Sequence, residues 1–290
     1  MVQITASMVK ELREKSGAAM MDCKKALVES SGDFDKAFEW LRQKGVATAS
    51  KKSSRATSEG LIVGKISDDL KTAVLLEVNC ETDFVARNEE FVGLCNGLVE
   101  VALSGKCKTL EDLLAAKHEG VAISERVTGV IAKMGENIVV KRLDYLAVDK
   151  EGIIGLYIHA LGGKMGALIE LSADKKPDVE VAGALARDLA MHIVSTKPQY
   201  LSRQEVPKET IEEERRIESG KSDLANKPPE IREKMIEGRV DKILAERCLS
   251  EQPFVKDPSQ TVANQLKAKS KEIGATLSPN RFSLFILGDG

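Results

Sequence analysis

The apolar positions first fall at helical spacing, and three short helices account for them as far as Gly45. Thr5 is placed as the N-cap of the first, with Ile4 and Val9 forming a hydrophobic staple, and Gly17 ends it. A second helix is expected from Met20 to Ser30. Gly32-Asp33 breaks that pattern and caps a third helix, whose stripe of Phe34, Ala37, Phe38 and Leu41 is closed by Gly45. So small a bundle buries little surface. Leu12, Met20 and Met21 therefore either fill its core, the commoner fate of such residues, or stay partly exposed. Ala47 to Glu59 reads as a linker or frayed helix.

From Gly60 the period changes. Leu61 to Ile66 and Thr72 to Asn79 flank Ser67-Asp68-Asp69 as a hairpin. Asn88 then caps a helix carrying Phe91, Leu94, Leu98 and Val101, and Thr109 with Asp112 opens a short one as a capping box. A helix from Ile123 to Met134 is stopped by Gly135, and Ile138 to Leu146 returns as a strand. The order then repeats: Ile153 to Ala160 and Met165 to Leu171 flank Leu161-Gly162-Gly163-Lys164, a helix runs from Asp178 to Ser195, and Phe282 to Leu287 is a late strand. Between Val206 and Leu249, Lys208 to Ser219 and Ile231 to Cys248 read as two antiparallel helices with a thin stripe of Ile231, Met235, Ile243 and Leu244. Such an arm is either a contact device or a decoration stabilised by charge pairs.

The fold class expected is therefore α+β: a small N-terminal three-helix bundle, two similar α+β subdomains with antiparallel sheets, and an inserted helical hairpin. The divisions are 1–55, 56–147, 148–202 together with 251–290, and 203–250 for the hairpin.

In 290 residues the 43 Lys and Arg nearly balance 45 Asp and Glu, for a net charge of -2, so no global charge attracts nucleic acid or anionic membrane. The basic run Lys51, Lys52 and Arg55 lacks interleaved aromatics and reads as a solvated surface. The start, Met1-Val2-Gln3-Ile4-Thr5, has no signal-peptide pattern and no apolar run approaches the ~20 residues of a membrane span, so a cytoplasmic location is expected. Five cysteines without a C-x-x-C argue against a disulfide framework or zinc knuckle. His118, His159 and His192 lie on separate elements without metal-ligand spacing, so no metal, cofactor or catalytic group is expected and the chain is not read as an enzyme. Gly162-Gly163-Lys164-Met165 departs from a phosphate loop, with Ile158 and Met165 where Gly and Ser or Thr belong, and is better read as turn chemistry.

One segment stands apart. After Val74-Leu75-Leu76-Glu77-Val78 comes Asn79-Cys80-Glu81-Thr82-Asp83-Phe84-Val85-Ala86-Arg87-Asn88, a polar strand-to-helix loop with an aromatic in its middle. Phe84 either plugs its own core or projects between Asp83 and Arg87 as an anchor for a partner.

At this loop the sequence resembles the translation elongation factor Ts family of bacterial type. The resemblance extends to Ile4-Thr5-Ala6-Ser7-Met8-Val9-Lys10-Glu11-Leu12-Arg13, Gly17-Ala18-Ala19-Met20-Met21-Asp22-Cys23-Lys24-Lys25-Ala26-Leu27, Gly135-Glu136-Asn137, Ala190-Met191-His192-Ile193 and Gln252-Pro253-Phe254-Val255. It implies a UBA-like N-terminal bundle and a guanine-nucleotide exchange factor acting in protein biosynthesis. Its partner would be elongation factor Tu, GDP-bound and nucleotide-free, with no direct nucleic-acid or membrane partner. By the same resemblance Thr82, Asp83, Phe84 and Val85 form the loop that disturbs the partner's magnesium and phosphate site, with Phe84 as the wedge. Leu12, Met20, Met21 and His159 would be partner-binding. Some members carry a further helix after the last strand; here, with Leu287-Gly288-Asp289-Gly290 last, those contacts are expected to be missing. The arm is associated with self-association in the family, which leaves a homodimer within the complex open. Two rival readings remain: an RNA-binding adaptor using the bundle and its basic run, and an enzyme with Cys80 or Cys95 as nucleophile.

Overall fold

Side chains set the starts of many helices: Thr5, Asp33, Asn88, Thr109, Asp178 and Thr261 each accept a backbone N–H from the first turn that follows. The structure is a computed structural model that describes residues 3–148, 151–160, 162–224 and 227–289. Leu161, assigned above to the second hairpin turn, lies outside them, as do Met1, Val2 and Gly290.

Helices α1 (Ala6–Ser16), α2 (Met20–Glu29) and α3 (Phe34–Lys52) pack around Val9, Leu12, Cys23, Ala26, Leu27 and Ala37. Strands β1 (Glu59–Ile66) and β2 (Thr72–Cys80) follow, then the single turn α4 (Asp83–Ala86), α5 (Glu89–Ser104) and α6 (Leu110–Ala115). The short pair β3 (Lys117–His118) and β4 (Val121–Ala122) leads to α7 (Ile123–Met134) and β5 (Ile138–Ala147). The second part runs β6 (Gly152–Ile158), β7 (Met165–Ala173), α8 (Val179–Thr196), α9 (Lys208–Ser219) and α10 (Pro229–Arg247). It ends with β8 (Pro253–Phe254), β9 (Asp257–Thr261), α11 (Val262–Ile273) and β10 (Leu277–Ile286).

Two antiparallel three-stranded sheets result, in the orders β1-β2-β5 and β10-β7-β6, which makes the fold α+β. The alternation of β2 explains how they stack. Val74, Leu76, Val78 and Cys80 face a core shared with α5, α6 and α7, whereas Ala73 and Leu75 face a second core with Ile154, Leu168 and Phe285 of the other sheet. In β7, Ala167, Ile169 and Leu171 turn the other way, onto α8 and α11. The layers are helix, sheet, sheet, helix. Gly166 permits the close approach of the sheets: a Cβ there would lie 2.5 Å from Ile158 and 3.0 Å from Ile62. Between the sheets the buried Glu77 accepts from Arg142 Nε at 2.6 Å, and the Arg142 guanidinium lies 4.2 Å from the Phe285 ring centroid and donates to Ile286 O at 2.8 Å.

Two expectations are corrected and one helix went unread. Helix α3 does not stop at Gly45 but runs on to Lys52, because a lone helical glycine costs only ~1 kcal/mol and α3 gains packing on Thr128 and Ala132 of α7. That seat is fastened by Arg42 to Glu125 at 2.6 Å and by Lys52 to the Gly135 carbonyl. In the arm, the buried row of α10 is Ile236, Val240 and Leu244, at i, i+4, i+8, facing Val206, Leu224 and Cys248; Ile231 is exposed. Of the predicted stripe, Leu244 belongs to this buried row and Met235 packs against it, whereas Ile231 faces solvent and Ile243 is half-buried. Finally α11 escaped the pattern, because Val262 and Leu266 are its only fully buried members among Lys, Asn and Gln.

Candidate functional site

The end of β2 delivers the chain to the loop that the sequence singles out. Thr82, in extended backbone, caps α4 by accepting the Val85 N–H at 3.4 Å, so Thr82 to Val85 form the start of a helical turn rather than an irregular loop. Helical geometry then sorts the side chains. Val85 and Ala86 enter the core with Phe91 and Cys95, while Phe84 points away and is 82% exposed. Asp83 pairs with Arg87 at 3.0 Å, one turn on, so the exposed ring stands between two charged groups.

The loop is held from beneath. Glu136 accepts from the Thr82 backbone N–H at 3.0 Å and from its hydroxyl at 2.7 Å. Glu81 accepts the Asn137 N–H at 2.7 Å, and this bond, ahead of the nearby Arg55 charge, holds the Glu81 carboxyl below its usual range. The buried Asn137 amide donates in turn to the Arg55 carbonyl at 3.0 Å. Arg55 itself pairs with Glu81 at 3.4 Å and Lys52 with Gly135 O, so two of the three residues of the basic run are engaged within the chain. The cysteines are equally occupied. All five are buried and none is in a disulfide, and burial pushes the Cys80 thiol up to about 11 and raises the Cys95 thiol as well, which keeps both as weakly nucleophilic thiols.

The other predicted residues divide. Met20 and Met21, at the start of α2, are 50% and 71% exposed. Leu12 is corrected: it has no exposed surface and packs among Val9, Cys23 and Leu27, because α1 turns it inward, so it shapes the bundle and presents nothing outside it. His159 follows β6, half-buried, with Nδ1 3.3 Å from the Tyr157 hydroxyl. The glycine turn that follows it, rather than the imidazole, packs on β1 beside the end of β2. Gly163 O accepts from Ile62 of β1 at 2.7 Å, Lys164 pairs with Glu59, and Glu59 lies opposite Cys80 in the strand register. His192 is far from such duty: Val255 N–H donates to its Nδ1 at 3.2 Å, so Nε2 donates to Gln252 Oε1 at 2.9 Å. The segments Ala190 to Ile193 and Gln252 to Val255 thus meet in one buried network.

Among the described residues no group of three or more His, Cys, Asp or Glu is arranged to hold a metal, and no helix is long and apolar enough to cross a membrane. Sequence reading missed the roles of Glu81, Glu136 and Asn137. The signal available was the left-handed Gly135 followed by a carboxylate and an amide, the standard means of satisfying backbone groups at a turn.

Fold and site together define an α+β protein that holds a solvent-facing aromatic turn on a fixed base. The chain matches the family model described as "Elongation factor TS" over residues 81–289, which includes that turn. It is 44% identical over 290 residues to an elongation factor Ts of Clostridium novyi, covering 99% of this chain and 94% of that protein. With elongation factor Ts of Clostridium botulinum (strain Eklund 17B) the identity is 45% over 289 residues, and with that of Clostridium perfringens 42% over 288, at the same coverages. The chain belongs to the elongation factor Ts family, a family of elongation factors of protein biosynthesis.

Proposed function

We propose that the chain is a guanine-nucleotide exchange factor for elongation factor Tu, acting in the cytoplasm and catalysing no covalent change of its own. The observation that carries the reading is the Phe84 ring, 82% exposed on a turn whose Val85 and Ala86 are buried and whose Thr82 is hydrogen-bonded to Glu136. An exposed aromatic on a fixed backbone loses little entropy on binding and fills a pocket well, which is how a few residues come to dominate an interface. Phe84 is assigned the wedge that enters the GTPase's nucleotide-binding half, and Asp83, beside it, the charge that upsets the polar network around the magnesium. Thr82 and Val85 hold the turn. Met20 and Met21 supply an apolar contact from the bundle, and His159 a contact from the second sheet's turn.

The consequence for the nucleotide is electrostatic. Magnesium neutralises much of the charge on a bound diphosphate, so displacing it leaves repulsion uncompensated and GDP departs faster. Linkage requires the reverse as well: by whatever factor the exchange factor weakens GDP, GDP weakens the exchange factor. The complex is therefore tightest with nucleotide-free partner and transient with GDP. The division of labour follows the segments 1–55 for the bundle, 56–147 for the subdomain carrying the wedge, 148–202 with 251–290 for a second, similar one, and 203–250 for the arm.

Release of fluorescent GDP from elongation factor Tu, followed with and without this protein, tests the reading. Accelerated release that depends on protein concentration is expected. An unchanged rate at saturating protein would refute it.

A further inference from the structure

The wedge turn is four residues long, and a helix of one turn does not hold its direction by its own hydrogen bonds. Its orientation depends on what grips its ends. Val85 and Ala86 anchor the C-terminal side in the core. On the N-terminal side the Cys80 thiol donates to the Thr82 carbonyl at 3.1 Å, and the charged grip is Glu136: Oε2 accepts the Thr82 N–H at 3.0 Å and Oε1 the Thr82 hydroxyl at 2.7 Å. With its proton committed to the carboxylate, that hydroxyl turns a lone pair toward Val85 N, the bond that starts the turn. Gly135, with φ of 77°, ends α7 and reverses the chain so that Glu136 points back at the loop. Asn137 then gives its N–H to Glu81, so Glu81-Thr82 and Glu136-Asn137 are clasped by two crossed carboxylate contacts. The Asn137 amide bonded to the Arg55 carbonyl extends the clasp to the segment leaving α3.

We infer that Glu136 is a positioning residue for nucleotide exchange: its carboxylate fixes the direction of the Phe84 turn through Thr82 without touching the partner. The inference rests on the exchange reading above. A turn released from Glu136 samples directions that the docked complex must exclude, so the loss falls mainly on the step in which the wedge engages.

The test compares Glu136→Ala, Glu136→Gln, Phe84→Ala and the Glu136→Ala/Phe84→Ala double variant of the full chain, measuring fluorescent GDP release from elongation factor Tu at saturating factor, affinity for nucleotide-free partner, and melting temperature. Glu136→Ala is expected to slow maximal release about tenfold, the scale of losing charge-assisted hydrogen bonds, with a smaller change in affinity. Glu136→Gln, which keeps one acceptor, falls between. In the Phe84→Ala background the Glu136 substitution has no further effect, because the direction of an absent ring is immaterial. Should Glu136→Ala fail to fold, Glu136→Gln with a native melting temperature carries the comparison. Wild-type release by both Glu136 variants while Phe84→Ala is defective overturns the positioning role and leaves the exchange reading intact. A Glu136 effect that persists undiminished without Phe84 overturns it too, as a general effect on the fold. Wild-type release by Phe84→Ala removes the reading beneath both.

Discussion

At Phe84 a single side chain separates two properties that usually travel together in an aromatic residue. The ring is 82% exposed, so truncating it removes little buried surface, while Val85 and Ala86 beside it carry the attachment to the core. Phe84→Ala is therefore expected to change stability by no more than about 0.5 kcal/mol and to reduce GDP release by on the order of 30-fold, the scale of a 2 kcal/mol hot spot. Thermal unfolding and the release assay read the two separately. Asp83→Ala is expected to keep partner binding better than exchange, because its assigned work is on the ion's surroundings rather than on contact area; equal losses of both would contradict that role. The sequence showed where this residue lay and what surrounded it, since an aromatic amid Thr, Asp and Arg is conspicuous. It left open whether the ring turned in or out, because that depends on α4 being a helical turn, and a four-residue helix has no periodicity to read.

For whole elements the same distinction separates the buried face of a helix from its exposed one. Leu12 on α1 is sealed among Val9, Cys23 and Leu27, whereas Met20 and Met21 at the start of α2 lie open. Leu12→Ala is expected to destabilise the bundle by about 2 to 5 kcal/mol, and Met20→Ser with Met21→Ser to leave melting nearly unchanged while weakening partner affinity. Helix spacing made both faces available from sequence, but a bundle this small leaves the choice between them to the packing of α2 and α3. The buried network of α8 offers a pH test. Burial holds His192 below its ordinary 6.5, the Gln252 bond opposing it only in part, so the unfolded chain takes up a proton at a pH where the folded chain does not. Stability is complete above about 6.5 and declines as the pH falls below it toward the folded value. Denaturant midpoints measured between about pH 7.5 and 5.5 are expected to fall with acid in the native protein, with part of that slope missing in His192→Gln.

Across the whole molecule, the two sheets are united by a face that pattern reading could not pair. The run from Ala73 to Cys80 is buried on both sides, so its sequence reads as a continuous apolar stretch with Glu77 and Asn79 as apparent interruptions. Glu77 is in fact the polar centre of the junction. It accepts from Arg142 of β5 at 2.6 Å, from the Asn79 amide at 3.0 Å and from Gly288 N–H at 3.1 Å, and Arg142 reaches β10 through Ile286 O and the Phe285 ring. Removing Arg142 leaves a carboxylate sealed between two sheets with only neutral donors, and breaking a buried pair in this way costs about 3 to 5 kcal/mol. Replacing both members with apolar residues of similar size removes the stranded charge and is expected to cost far less. Arg142→Met is therefore expected to destabilise strongly and Glu77→Leu/Arg142→Met to recover most of the loss in denaturant unfolding. Because β10 arrives from the end of the chain to pack on strands from its first half, the Arg142→Met defect should appear in both sheets at once, as lost hydrogen-exchange protection in β2 and β7 together. Loss confined to one sheet would show that the halves unfold independently and that the ion pair does not join them.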